Sequence, residues 1–118
     1  MSTILVVDDE QPIRELVARV LERKGYDVIK CHSAEEALAV TTPVDLLVVD
    51  LVLPEVNGRD LTEKLRQRLP NLPVVLMSGF LSQRDMMPGP PSTFLQKPMK
   101  PSAVVEAVED LLKDVEGN

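Results

Sequence analysis

Tryptophan is absent from the 118 residues, histidine, cysteine and tyrosine occur once each, and phenylalanine occurs twice. With one histidine, His32, and one cysteine, Cys31, the chain cannot assemble the His/Cys cluster that favours zinc, nor close an internal disulfide. A lone thiol fits a reducing compartment. Cys31 by itself reads as a small buried hydrophobe on a strand, with His32 in solvent just beyond it. Positive charge is in deficit: 13 Lys and Arg stand against 19 Asp and Glu, a net charge of −6. That opposes nucleic-acid binding, which needs clustered cations to neutralise phosphates. No apolar stretch approaches the ~20 residues that span a bilayer, and no basic region precedes Ile4–Val7. The chain is therefore expected to be cytoplasmic, with neither membrane nor nucleic-acid partners. At this length one core suffices, so residues 1–118 are expected to form a single domain.

What is present is an alternation of short apolar runs with amphipathic segments, the pattern of βαβ units and a parallel sheet. The runs are Ile4–Val7, Asp27–Cys31, Leu46–Val49, Val74–Met77 and Thr93–Gln96. Three are almost continuously apolar, as strands covered by helices on both faces must be. Between the first two runs, Ile13, Leu16, Val17, Val20 and Leu21 form one helical stripe, with Pro12 suited to the first turn and Gly25 to the stop. Ser33 and Glu36 make a capping box for a helix from Ala34 to Val40, and Leu61, Leu65 and Leu69 lie four apart after Gly58. The last helix places Val104, Val105, Val108, Leu111, Leu112 and Val115 on one face, between Pro101 and Gly117. Residues 80–93 break the pattern. Ser82 can cap a helix there, with Asp85 three residues on, but Pro88, Pro90 and Pro91 limit it to a stub of about one and a half turns, with Met86 and Met87 exposed or packed back on the sheet.

In open parallel sheets, ligands bind beyond the carboxyl ends of the strands. Four of the five runs end in reactive residues: Asp8 and Asp9 after the first, Asp50 after the third, Ser78 after the fourth and Lys97 after the fifth. Each alone has an ordinary explanation, because Asp and Ser are common in turns. Their convergence is the signal. Three carboxylates at neighbouring strand ends repel, by roughly 3 kcal/mol per pair at about 5 Å and an effective dielectric of about 20. A divalent cation offsets that, and an all-oxygen site with few protein ligands suits Mg²⁺, with Mn²⁺ as a substitute. Lys97 and Ser78 supply the ammonium and hydroxyl that hold the oxygens of a transferring phosphoryl group. Asp50, ending a central strand, is the preferred nucleophile; the adjacent Asp8 and Asp9 are better placed to share the metal.

VVDDE at 6–10, DLVLPEVNG at 50–58, MSG at 77–79 and FLQKP at 94–98 together resemble the receiver domain of bacterial two-component response regulators, over essentially the whole chain. The resemblance implies a flavodoxin-like, doubly wound five-stranded parallel sheet in the order 2-1-3-4-5. It implies that a histidine kinase, a histidine phosphotransfer protein or a small phosphodonor phosphorylates Asp50, with the receiver supplying the catalysis. Asp9, Asp50 and the backbone carbonyl of Val52 would then coordinate Mg²⁺, with Asp8 acting through water. Lys97 would contact the phosphoryl oxygens, Ser78 would move toward them, Phe94 would be the aromatic switch, and the Lys97–Pro98 bond would be cis. Two departures stand out: Phe80 fills a position that is polar in many relatives, and the Pro-rich stretch resembles receivers attached to hybrid histidine kinases. The Met1 start points instead to a free-standing receiver.

Two rival readings are weaker. A haloacid-dehalogenase-type phosphatase needs a second Asp two residues after its nucleophile, where this chain has Val52. A docking module that never turns over phosphate has no need of all five reactive residues. A stub at 80–93 also removes area from the face on which many relatives dimerise, so a monomer is expected, with an output partner the sequence does not name.

Overall fold

The computed structural model describes residues 2–116, excluding the side chains of Leu81, Ser82, Val115 and Glu116. Its strands are β1 (Thr3–Val7), β2 (Asp27–Cys31), β3 (Leu46–Asp50), β4 (Val74–Ser78) and β5 (Ser92–Gln96), all parallel and ordered β2-β1-β3-β4-β5. The helices are α1 (Gln11–Arg23), α2 (Ala34–Leu38), α3 (Gly58–Leu65) and α4 (Pro101–Glu116), with a 3₁₀ segment at Leu81–Met86.

Side chains alternate across a strand, so a continuous apolar run feeds two cores at once. Leu5, Val7, Leu47, Val49, Val74 and Leu76 face the layer of α2 and α3. Ile4, Val6, Leu46, Val48, Val75 and Met77 face α1 and α4. Cys31 is buried at the end of β2, and His32 beyond it is exposed and paired with Glu36.

Local chemistry sets the helix ends. Pro12 lies in the first turn of α1, and Gly25 follows its last turn at φ 96°, a conformation that suits glycine. Leu16 departs from its expected place: it is 40% exposed, on the outer edge of the α1 stripe. The Ser33 hydroxyl accepts from the Glu36 N–H, while Glu36 Oε1 accepts from the His32 N–H, one residue further back than a standard capping box. α2 stops at Leu38 rather than Val40, because Val40, Thr41, Thr42 and Pro43 follow, a β-branched run ending in proline. α3 stops at Leu65, although the Leu69 N–H still reaches Leu65 O, and Leu69 packs against the core.

The stretch between β4 and β5 is the stub that its prolines require. Its helical part begins at Leu81, one residue before the expected cap Ser82, with Phe80 at the N-cap position. Met87 is extended, as the residue before a proline prefers, and Pro88 ends the segment. Met86 and Met87 are half-buried against the α2/α3 core, not exposed. The Ser82 and Val115 side chains and Gly117 lie outside the described residues. Lys97–Pro98 is cis, and so is Pro90–Pro91. Among the described residues no helix is long and apolar enough to cross a membrane.

Candidate functional site

Strand register brings the reactive residues to one edge. Val7 pairs with Val49, Asp50 with Met77 and Ser78 with Gln96, so the sheet ends together at Asp8, Asp50, Ser78 and Lys97. Backbone bonds extend this order past the strands: the Leu51 N–H donates to Met77 O at 2.8 Å and the Lys97 N–H to Ser78 O at 2.7 Å.

Lys97 Nζ lies 2.9 Å from Asp50 Oδ2, 3.0 Å from Asp8 Oδ2 and 3.2 Å from Glu10 Oε1. The second oxygen of each aspartate accepts from a backbone N–H two residues on: Glu10 N–H to Asp8 Oδ1 at 2.9 Å, and Val52 N–H to Asp50 Oδ1 at 3.1 Å. Arg14 donates to the carbonyl of Asp8 at 2.8 Å, fixing the turn into α1. Asp8 and Asp50 are buried while Asp9 is exposed.

Burial pushes the Asp8 carboxyl up and outweighs the Glu10 N–H and Lys97 ammonium, which pull it down; the charge of Asp50 adds to the rise. Burial pulls the Lys97 ammonium down, but the hydrogen bonds and charges of Asp50 and Asp8 overcome it and hold Lys97 above the ordinary lysine range. The structure thus joins two buried carboxylates through one partly buried cation.

One carboxylate oxygen from each of Asp8, Asp9 and Asp50 lies within 4.8 Å of the others. Hard oxygen donors in that arrangement, without nitrogen or sulfur, fit Mg²⁺ or Mn²⁺. Val52 is 57% exposed at the rim. Ser78 is fully buried; its hydroxyl donates to Gln83 Oε1 and accepts the Phe80 N–H at 3.2 Å. Phe94 is half-buried on β5 against the α2/α3 core.

The structure brings Asp8, Asp9, Asp50 and Lys97 together, and three further contacts were not anticipated from the sequence: those of Glu10 and Gln83 and the steric fit of Gly58. Glu10 was visible in the VVDDE run, but its reach to Lys97 depends on its rotamer. Gln83 lies in a segment whose path the prolines disguise. Gly58 has a steric role: a Cβ there would stand 2.5 Å from the carbonyl oxygen of Asp50. The Gly58 N–H also donates to Leu51 O at 2.7 Å, so the start of α3 rests directly on the backbone of the acidic site.

The family model described as "Response regulator receiver domain" matches residues 4–109. The chain belongs to this family. Its relatives include the alkaline phosphatase synthesis transcriptional regulatory protein PhoP of Bacillus subtilis, 36% identical over 93% of this chain and 48% of the relative. Response regulator SaeR of Staphylococcus aureus is 28% identical over 95% and 51%. The receiver thus spans about half the length of these curated relatives. Among solved structures, the receiver domain of the hybrid histidine kinase CckA is 33% identical with a TM-score of 0.82, covering 94% of this chain and 99% of that one. TrrA of Thermotoga maritima, solved in complex with Mg²⁺–BeF, is 26% identical at the same TM-score and coverage. This receiver is thus a module of two-component signal transduction with the flavodoxin-like fold and strand order expected of it. Domains of this family bind Mg²⁺ at an acidic pocket and interact with histidine kinases or phosphotransfer proteins.

Proposed function

We propose that Asp50 is the phosphoacceptor of a single receiver domain formed by residues 1–118, and that this domain catalyses its own phosphorylation and dephosphorylation. The observation that carries this reading is the pairing of buried Asp50 and Asp8 through Lys97, with Asp9 beside them. The Val52 N–H holds one Asp50 oxygen in place. The carboxylate attacks the phosphorus of a phosphohistidine on a kinase or phosphotransfer protein, or of a small acyl phosphate. The O–P bond forms as the bond to the leaving group breaks, and imidazole or acetate departs. Lys97 turns from Asp50 to the phosphoryl oxygens, which replace the lost carboxylate charge.

Asp9, Asp50 and the Val52 carbonyl would hold Mg²⁺ or Mn²⁺, with Asp8 acting through water. When bound, the cation neutralises charge on the transferring group. Ser78 then moves toward the phosphoryl oxygens and the Phe94 ring turns inward, changing the surface offered to a protein partner. The acidic net charge supports a protein rather than a nucleic acid in that role, and a lone thiol supports a cytoplasmic setting. Incubation with acetyl phosphate tests the reading. Phosphoryl incorporation is expected with Mg²⁺ and lost with a chelator or in Asp50→Asn; undiminished labelling of Asp50→Asn overturns the assignment.

A further inference from the structure

The Ser78 hydroxyl is fully buried, and its proton has Gln83 Oε1 as its nearer acceptor, with Phe80 O at 3.4 Å as the more distant one. Gln83 lies inside the 3₁₀ segment Leu81–Met86, whose first turn is closed by the Gln83 N–H donating to Phe80 O at 3.0 Å. The Phe80 N–H in turn donates to Ser78 Oγ at 3.2 Å. Ser78 is therefore tied to the residues after it in two ways: its oxygen accepts from the Phe80 N–H, and its proton is shared unequally between Gln83 Oε1 and the more distant Phe80 O.

A serine hydroxyl has one proton to donate. A phosphoryl oxygen on Asp50 is an acceptor, and so is Gln83 Oε1; Ser78 cannot satisfy both. We propose that Gln83 is a positioning residue that latches the Ser78 hydroxyl to the 3₁₀ segment, so that phosphorylation of Asp50 has to break this bond and thereby releases the segment. The inference rests on Asp50 being the acceptor. It assigns the segment that replaces a full helix a role as direct sensor of the hydroxyl, alongside the turn of Phe94. Breaking the latch leaves Gln83 Oε1, half-buried, without its donor. The amide must then find water, which moves its own backbone and that of Arg84 and Asp85 beside it.

The latch opposes activation, so removing it favours the phosphorylated form. A net hydrogen bond of this kind corresponds to about three- to tenfold in an equilibrium constant. Beryllofluoride with Mg²⁺ is the probe, its affinity measured calorimetrically. Gln83→Leu and Gln83→Ala are each expected to bind it about three- to tenfold more tightly than the wild type. In a Ser78→Ala background, where there is no hydroxyl to latch, the same substitutions are expected to change nothing. A purely structural role for Gln83 moves both backgrounds equally, and the cycle separates the two. Equal affinity of wild type and both Gln83 variants overturns the latch alone, as does an identical change in the Ser78→Ala background. Failure of the wild type to bind the probe at all overturns the Asp50 reading and the latch with it.

Discussion

Lys97 reaches three carboxylates from the end of β5, and its side chain is only 13% exposed. Truncating one partner of a buried charge group leaves the others uncompensated, which typically costs about 3–5 kcal/mol. Lys97→Ala is therefore expected to lower stability in urea by about 3 kcal/mol in the presence of chelator, with part of the loss recovered by Mg²⁺. Unchanged stability under chelator contradicts the pairing described here. Cys31 gives a second residue-level expectation. Burial pushes its thiol up to about 11, with nearby Glu36 adding to the rise. A raised folded value means that the thiol's contribution to stability is complete below the ordinary value of 9.0 and fades as pH climbs through about 11. The native protein is expected to resist a thiol-reactive dye at pH 8 and to react promptly in denaturant; prompt native reaction contradicts the burial. At this scale the acidic residues and Lys97 were legible because strand ends are where such sheets do chemistry. Glu10 and Gln83 were not, since side-chain rotamers and the path of a proline-rich loop decide their contacts.

The elements were legible wherever the hydrophobic period was long, as in α1, α4 and the strands. They were less so where a helix is short: α2 and α3 both stop before the last apolar residue of their stripes, because Pro43 and Pro70 follow closely. The stub between β4 and β5 was foreseen from its prolines, but its anchor was not. Arg66, just after α3, donates to Leu72 O at 3.0 and 2.8 Å, to Gly89 O at 2.6 Å and to Pro91 O at 3.0 Å. One guanidinium thus fastens the proline-rich loop to the end of α3 by serving carbonyls from two chain segments. Arg66→Ala is expected to cost about 2 kcal/mol in urea unfolding and to speed amide exchange at Gly89 and Ser92, which flank the two prolines. Arg66→Lys should rescue little, because an ammonium cannot reproduce the fork. Full rescue by lysine contradicts the clamp.

The whole molecule couples two apolar layers through one sheet and gathers its charge chemistry at a single end. Its order, β2-β1-β3-β4-β5, puts Asp50 on the central strand between Asp8 and Ser78. The six-residue segment Leu81–Met86 beside β5 and α4 offers this face less area than a full helix would toward the about 800 Å² per partner typical of a stable dimer. Sedimentation of the beryllofluoride-loaded protein is expected to give a monomer; a dimer broken by charge substitutions on this face contradicts that. The central claim, that Asp50 accepts the phosphoryl group, is tested most directly by trapping the bond itself. Protein incubated with acetyl phosphate and Mg²⁺ is treated with borohydride, which reduces an acyl phosphate to the alcohol, and the modified residue is located by peptide mass spectrometry. The account predicts homoserine at position 50 and unmodified Asp8 and Asp9; reduction at either of those two, with Asp50 intact, contradicts it.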